Sequence, residues 1–400
     1  MNLGRGYLLK TVVFVVAFVV ASTLPAISTA PGFITISNQG KISGQVLAKS
    51  GSPGDIQAAV NLVSSAGGGT VYIPAGTFYW KNETVTIPGG VSIVGTGNTT
   101  TVLHSNVRQP FNDFFQVDGS NGKPVRISSI RFEGNVTNWR DDNVGASNAI
   151  SVMNGAIDFR IDHCVFIDFP NQAIGVTAFD TGTTRGVIDH NYFDNSYKDT
   201  SPPVGGWWWA YGIVVAGKAG AWDNNIADFL GKYETVPSGF PVVYIEDNIF
   251  SRCRHAIASN QGAWYVARYN TFNEGRPQNF GNMDVHGAGG GSKPGGRGLE
   301  AYNNTIIGSS GYNAAQAFWI RGGGGLIYNN AMHNILYGIG LFNESGPSQS
   351  QVHDLYIWGN TMDSGTLLNP QNYTQDTDYF LYARPGYTPY AYPHPLTLGT

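Results

Sequence analysis

IDHCVF at residues 161–166 and IDHNYF at 188–193 are one phrase written twice. It recurs as IEDNIF (245–250), ARYNTF (267–272), AYNNTI (301–306), IYNNAM (327–332) and IWGNTM (357–362), with a weaker WDNNIA (222–227). The anchor positions are Cys164, Asn191, Asn225, Asn248, Asn270, Asn304, Asn330 and Asn360, separated by 27, 34, 23, 22, 34, 26 and 30 residues. A floor near 22 with variable excess is the mark of a coil of short strands that accepts loops of different length at its corners. Ile161, Ile188, Trp222, Ile245, Ala267, Ala301, Ile327 and Ile357 stand three before each anchor, and mostly Phe, Ile or Met stand two after it. These positions are expected to point inward and stack. Asn at the corner tolerates a tight turn and can bond through its amide to the next coil, forming a ladder. A second family, QAIGV, YGIVV, HAIAS, QAFWI and YGIGL, supplies another face.

Composition agrees with this reading. Of 400 residues 53 are Gly, 12% are charged and 13% aromatic, which describes many turns, short strands and a large core. A net charge of −4 and no Lys/Arg cluster exclude a phosphate-binding surface, so nucleic acid is not expected as a partner. Arg5 and Lys10 precede the apolar run Thr11–Ala21, and Ser28, Thr29 and Ala30 supply a small-residue cleavage site. Residues 1–30 therefore read as a signal peptide, or, uncleaved, as a membrane anchor. Either way the remainder is expected to be secreted or displayed at the extracellular surface.

Gly54-Asp55-Ile56-Gln57-Ala58-Ala59-Val60 begins an amphipathic helix able to close the open end of a solenoid, and GGGTVYIPAGTF and VSIVGTG follow as first coils. This opening, with the repeated phrase, resembles the pectate-lyase-like right-handed β-helix superfamily over roughly residues 51–362. The fold expected is all-β: a right-handed parallel β-helix with an N-terminal capping helix over residues 31–375. An extended Tyr/Pro-rich tail, 376–400, follows along the coil, and the chain is expected as a monomer. Cys164 and Cys253, read as three to four coils apart, lie about 15 Å from each other along the axis and are expected as free, buried thiols.

Strand alternation sends the residues two before the anchors outward as Asp162, Asp189, Asp223, Glu246, Arg268, Tyr302, Tyr328 and Trp358. Stacked carboxylates repel one another unless a cation, a basic side chain or protonation intervenes. The resemblance implies a calcium-binding face with Asp189, Asp223 and Glu246 as ligands and Arg268 as base; the alternative is a solvated face with ordinary Asp–Arg pairing. The arginine-rich segment of those lyases survives only as Gly275-Arg276-Pro277. A second constellation joins Arg254 and His255 to Asp284, His286 and Arg297, in the glycine-rich NMDVHGAGGGSKPGGRG, and to Glu300. His255, His286 and Glu300 are general acid–base candidates beside Arg268, while Arg254, Asp284, Arg297 and Tyr302 are candidates to hold a sugar. Trp208, within Trp207–Trp209, offers a ring for sugar stacking. Three activities remain open at this level: a polysaccharide lyase acting on a uronic-acid polymer, a glycoside hydrolase built on paired carboxyls, and a carbohydrate-binding surface protein without turnover.

Overall fold

The computed structural model describes residues 34–36, 42–106, 113–134, 148–169, 171–177, 183–195, 210–217, 225–237, 239–275, 281–288, 294–308, 316–344 and 350–399. Residues 1–30, Trp207–Trp209, Asp223 and Arg276 lie outside them.

The chain winds as a right-handed parallel β-helix whose coils each give one strand to each of three sheets. The first sheet has thirteen strands, from Ile34–Ile36 to Tyr379–Phe380, and includes Ile157–Asp162, Arg185–Asp189, Val242–Glu246, Trp264–Arg268 and Gly298–Tyr302. The second and third have ten each. Every pairing is parallel except the antiparallel Ile34–Ile36 with Ile42–Leu47 at the N-terminal edge. Helix Pro53–Ser65 caps that end. The Ser52 side chain accepts from the Asp55 N–H, and Ile56, Ala59, Val60 and Val63 enter the core.

Between the first and second sheets each turn from Ser128 onward is two residues long. Its first residue takes left-handed φ at His163 (54°), His190 (54°), Asp247 (57°), Tyr269 (56°), Asn303 (55°), Asn329 (53°) and Gly359 (64°). The tight geometry thus falls one residue before the anchor, which leaves the anchor free to bond. The Asn248 Oδ1 accepts from the Asn191 N–H (2.9 Å) and Nδ2 (3.0 Å), and its Nδ2 donates to the Ile188 carbonyl (2.8 Å). The same pattern repeats at Asn270, Asn304, Asn330 and Asn360. Behind it Phe132, Phe166, Phe193, Phe250 and Phe272 stack in near-parallel pairs at 4.7–5.3 Å, one ring per coil.

Three readings of the sequence are corrected. Asn225 is not an anchor: it caps the short 3-10 turn Ile226–Asp228, and Arg185–Asp189 pairs directly with Val242–Glu246. The described end of WDNNIA, Asn225–Ala227, therefore belongs to the connection between two coils. Cys164 and Cys253 are consequently two coils apart, about 10 Å at sheet spacing. They remain unbridged and buried, and burial pushes the Cys164 thiol well up. Finally, Asn282–Val285 belongs to a strand, Gly281–Val285, between Ile257–Asn260 and Gln316–Ile320, rather than to a loop.

The ladder should dominate local stability. Asn248→Ala strands the Asn191 N–H and the Ile188 carbonyl in a dry interior, a loss of about 2–6 kcal/mol at 1–3 for each orphaned group. Thr305→Ala, half-exposed on the outer face of the second sheet, should fall within about 0.5 kcal/mol of the parent. Thermal unfolding of the two variants checks both.

Candidate active site on the third sheet

The predicted residues separate onto two faces. Asp189, Glu246, Arg268 and Tyr302 do form one outward column on the first sheet, with Glu246 following Asp189 directly. The column is not solvated. The chain from Tyr379 turns back and runs as a strap along this sheet toward the N-terminus. Tyr387 donates to Glu300 (2.5 Å), the carbonyls of Tyr390 and Ala391 accept from Arg268 (2.8 and 2.7 Å), and the His394 N–H donates to Glu246 (2.7 Å). The carbonyl of Leu396 accepts from Arg160. Arg268, Glu246 and Glu300 are buried as a result. Arg297 is also on this side, its guanidinium 4.4 Å from the Phe229 ring centre and 4.9 Å from that of Phe240.

These carboxylates do not fit calcium. Arg126 clamps Asp162 through two bonds, Arg160 clamps Asp189 in the same way, and Arg268 holds Glu246. Oxygens already bound to guanidinium or backbone N–H groups are not available to a hard cation that takes six to eight of them. Among the described residues no group of three or more His, Cys, Asp or Glu side chains is placed to hold a metal ion.

Connection lengths point to the other face. Turns from the first sheet to the second are minimal, whereas long segments leave and rejoin the coil at both edges of the third sheet. Between the second and third sheets they are residues 106–114, 134–149 and 195–210; between the third and first they are 217–241, 286–297 and 342–351. Connecting segments set on a rigid scaffold are the usual carriers of function.

Arg254, His255, Asp284 and His286 all meet on this face, and three residues that the sequence reading passed over complete it: Trp319, Arg321 and Glu344. The sequence reading gives QAFWI only as one strand of the second family, without its outward residues. Yet Phe318 and Ile320 are buried inward, so Trp319 and Arg321 must alternate outward. Asp284 lies beside Trp319 in the sheet and is buried, held by Arg321 at 2.9 and 2.8 Å. Burial acts to raise the Asp284 carboxyl, but the Arg321 guanidinium overrides it and holds the group below the usual carboxylate range. Arg321 also donates to Glu344 (2.6 Å), and Glu344 stands 3.5 Å from the half-exposed His286.

His255 is buried, with the Tyr211 and Trp319 rings 5.1 and 6.0 Å away. Its Nδ1 is 2.5 Å from the Gly281 carbonyl, which fixes the proton on Nδ1 and makes Nε2 the basic nitrogen. Burial lowers its pKa to about 4, so at neutral pH the ring is uncharged. Tyr211 is pushed up to about 12 by burial and stays a phenol. The half-exposed Arg254 guanidinium sits 5.6 Å from the centre of the Tyr211 ring.

No family model matches the chain, and no curated protein matches it. Among solved structures, an alginate lyase from a Paenibacillus species is similar over 84% of this chain and 99% of its own, at 13% identity and a TM-score of 0.54. The A-module of a mannuronan C-5 epimerase from Azotobacter vinelandii aligns with 82% of this chain and 92% of its own, at 15% identity and a TM-score of 0.36.

Glu300 gives a stability signature for the strap. Burial raises its pKa to about 7, against the opposing bond from Tyr387. A carboxyl whose pKa is higher folded than unfolded stabilises most below its unfolded value, and that contribution disappears as pH rises through the folded value. The melting temperature of the parent should therefore fall between pH 5 and pH 8 by more than that of Glu300→Gln. Equal slopes would remove Glu300 from the account. The sheet topology and the comparison together show a right-handed parallel β-helix.

Proposed function

We propose that this chain is an extracytoplasmic polysaccharide lyase that lays a uronate-bearing polymer along the outer face of the third sheet and cleaves it by β-elimination. One observation carries the choice of reaction. The described carboxylates of this cluster, Asp284 and Glu344, are engaged by Arg321, while a neutral, tautomer-fixed His255 lies beside Tyr211. Hydrolysis needs a carboxyl that stays protonated until it donates to the leaving oxygen. Asp284, held below the ordinary range, is unsuited to that task.

Elimination needs what is present. Arg254 neutralises the sugar carboxylate and makes the adjoining C–H more acidic. His255 Nε2 removes the proton at C5, the electron pair becomes the C4–C5 double bond, and the C4–O4 bond breaks. The departing oxygen takes the Tyr211 phenolic proton, and water returns a proton from the His255 imidazolium to Tyr211. Asp284, which acts on His255 against the lowering by burial, stabilises the imidazolium as it forms. Trp319 offers its ring to the apolar face of a sugar. Alginate is a polyuronate, and the Paenibacillus protein named an alginate lyase shares the fold, so alginate heads the substrate panel.

Incubation with alginate, polygalacturonate and other polyuronates, followed by the ultraviolet absorbance of the unsaturated product, tests the reading. A rise that chelator leaves unchanged is expected. His255→Gln should lower kcat about 10²- to 10⁴-fold, the range for losing a general base. The parent kcat/KM should hold level through neutral pH and drop as pH falls through about 4, where His255 gains its proton. New reducing ends without absorbance would instead mean hydrolysis, and neither signal would mean binding without turnover.

A further inference from the structure

We propose that Tyr382 and Arg384, at the C-terminal end of the first sheet, form a second carbohydrate-binding site that takes a sugar bearing a carboxylate. The choice of ligand rests on the polyuronate reading of the third-sheet cluster, with which this site shares no residue. Tyr379–Phe380 is the last strand of the first sheet, and among the described residues no strand follows it. Tyr356 and Phe380 stack across the last two strands at 4.7 Å and 20° between planes. Tyr382 stands against both, its ring 6.0 Å from that of Tyr356 and 5.6 Å from that of Phe380, and is still 48% exposed.

The Arg384 guanidinium lies 5.8 Å from the centre of the Tyr356 ring. Arg126, Arg160, Arg252, Arg268 and Arg321 are each held by a carboxylate, whereas Arg384 makes no ion pair among the described residues and its Nε is buried without a hydrogen-bond partner. Asp354, the carboxylate that acts on Tyr356, bonds His353 at 3.0 Å instead. A guanidinium set among aromatic rings and left without a counter-ion is complementary to an anion that brings apolar surface of its own. Inorganic phosphate brings the charge without that surface, and a neutral sugar brings the surface without the charge. Every residue of a polyuronate offers both: a C–H face for Tyr382 and a carboxylate for Arg384. Because the two features repeat along the polymer, they can come from one residue or from neighbouring ones, and no single spacing is demanded. A polymer long enough to span this site and the third sheet is held at high effective concentration for both.

Affinity electrophoresis of the full chain, in gels containing alginate, polygalacturonate or the methyl ester of polygalacturonate, tests this. Arg254→Gln with Trp319→Ala first removes the third-sheet contacts, so that retardation reports the second site. That protein should still be retarded by both acidic polymers and not by the ester. Adding Arg384→Gln should weaken retardation about fivefold, the upper end for an exposed ion pair. Adding Tyr382→Ala should weaken it as well, both with the melting temperature nearly unchanged. The same two substitutions made in the parent should lower its retardation too, which keeps the test readable if the background variant melts early. Absence of retardation before the additions, retardation that survives them, or equal retardation by the ester overturns the proposal. Turnover by the parent is read separately: cleavage without second-site binding removes only this inference, and second-site binding without cleavage removes only the lyase reading.

Discussion

From Cys164 onward the described coils depend on one constraint: a peptide unit turned away from its sheet in a dry interior must still find a partner. Between the first and second sheets the chain bends within two residues, and the backbone at the bend cannot continue either ladder. The asparagine side chains supply the missing bonds. Each one accepts the N–H of the anchor in the preceding coil and donates to a carbonyl of that coil, so that every turn is completed by the next one. An orphaned group there would be left in a medium that strengthens electrostatics and offers no water. Only the amide side chain carries both donor and acceptor at the needed reach. The turn at Cys164 uses the Oδ1 of Asn191 in the same way, while its own thiol continues the ladder backward only by a long contact, 4.0 Å, to the Ile127 carbonyl.

Fixing one corner determines what the others can do. A two-residue turn tied to its neighbours on both sides leaves no room for insertion, so length varies only at the two remaining corners, and both of those border the third sheet. The strands beneath stay in register because the ladder and the phenylalanine stack set the pitch. Side chains contributed by separate coils, Tyr211, His255, Asp284 and Trp319, therefore come to one face at spacings that no loop could hold by itself. That arrangement is a consequence of where the fold tolerates irregularity.

The sequence disclosed this architecture because the inward positions repeat locally: an apolar residue three before each asparagine and another two after it. It disclosed less about the faces. WDNNIA copies the phrase but caps a 3-10 turn, since nothing in six residues reveals whether a coil surrounds them. Gly281–Val285 escaped notice as a strand because glycine and Asn282 weaken the alternation, and its partners lie in other coils. The burial of Arg268 was invisible for a stronger reason. The groups covering it come from Tyr390 and Ala391, more than a hundred residues onward in a segment with no repeat of its own.

That last point separates the two charged faces of the molecule in physical terms. The first sheet carries the conspicuous column of acids, yet Asp162, Asp189 and Glu246 are each matched by an arginine, and the strap closes on Glu246, Arg268 and Glu300. Removing charges from water is repaid only when the pairing is nearly complete, and here it is, which makes the column a fastening for the C-terminal segment. On the third sheet Arg254 and His286 are half-exposed and His255 is held neutral. A closed network of buried pairs marks a structural fastening; charged groups partly open to solvent, beside a neutral base fixed in one tautomer, mark a face that a substrate can reach.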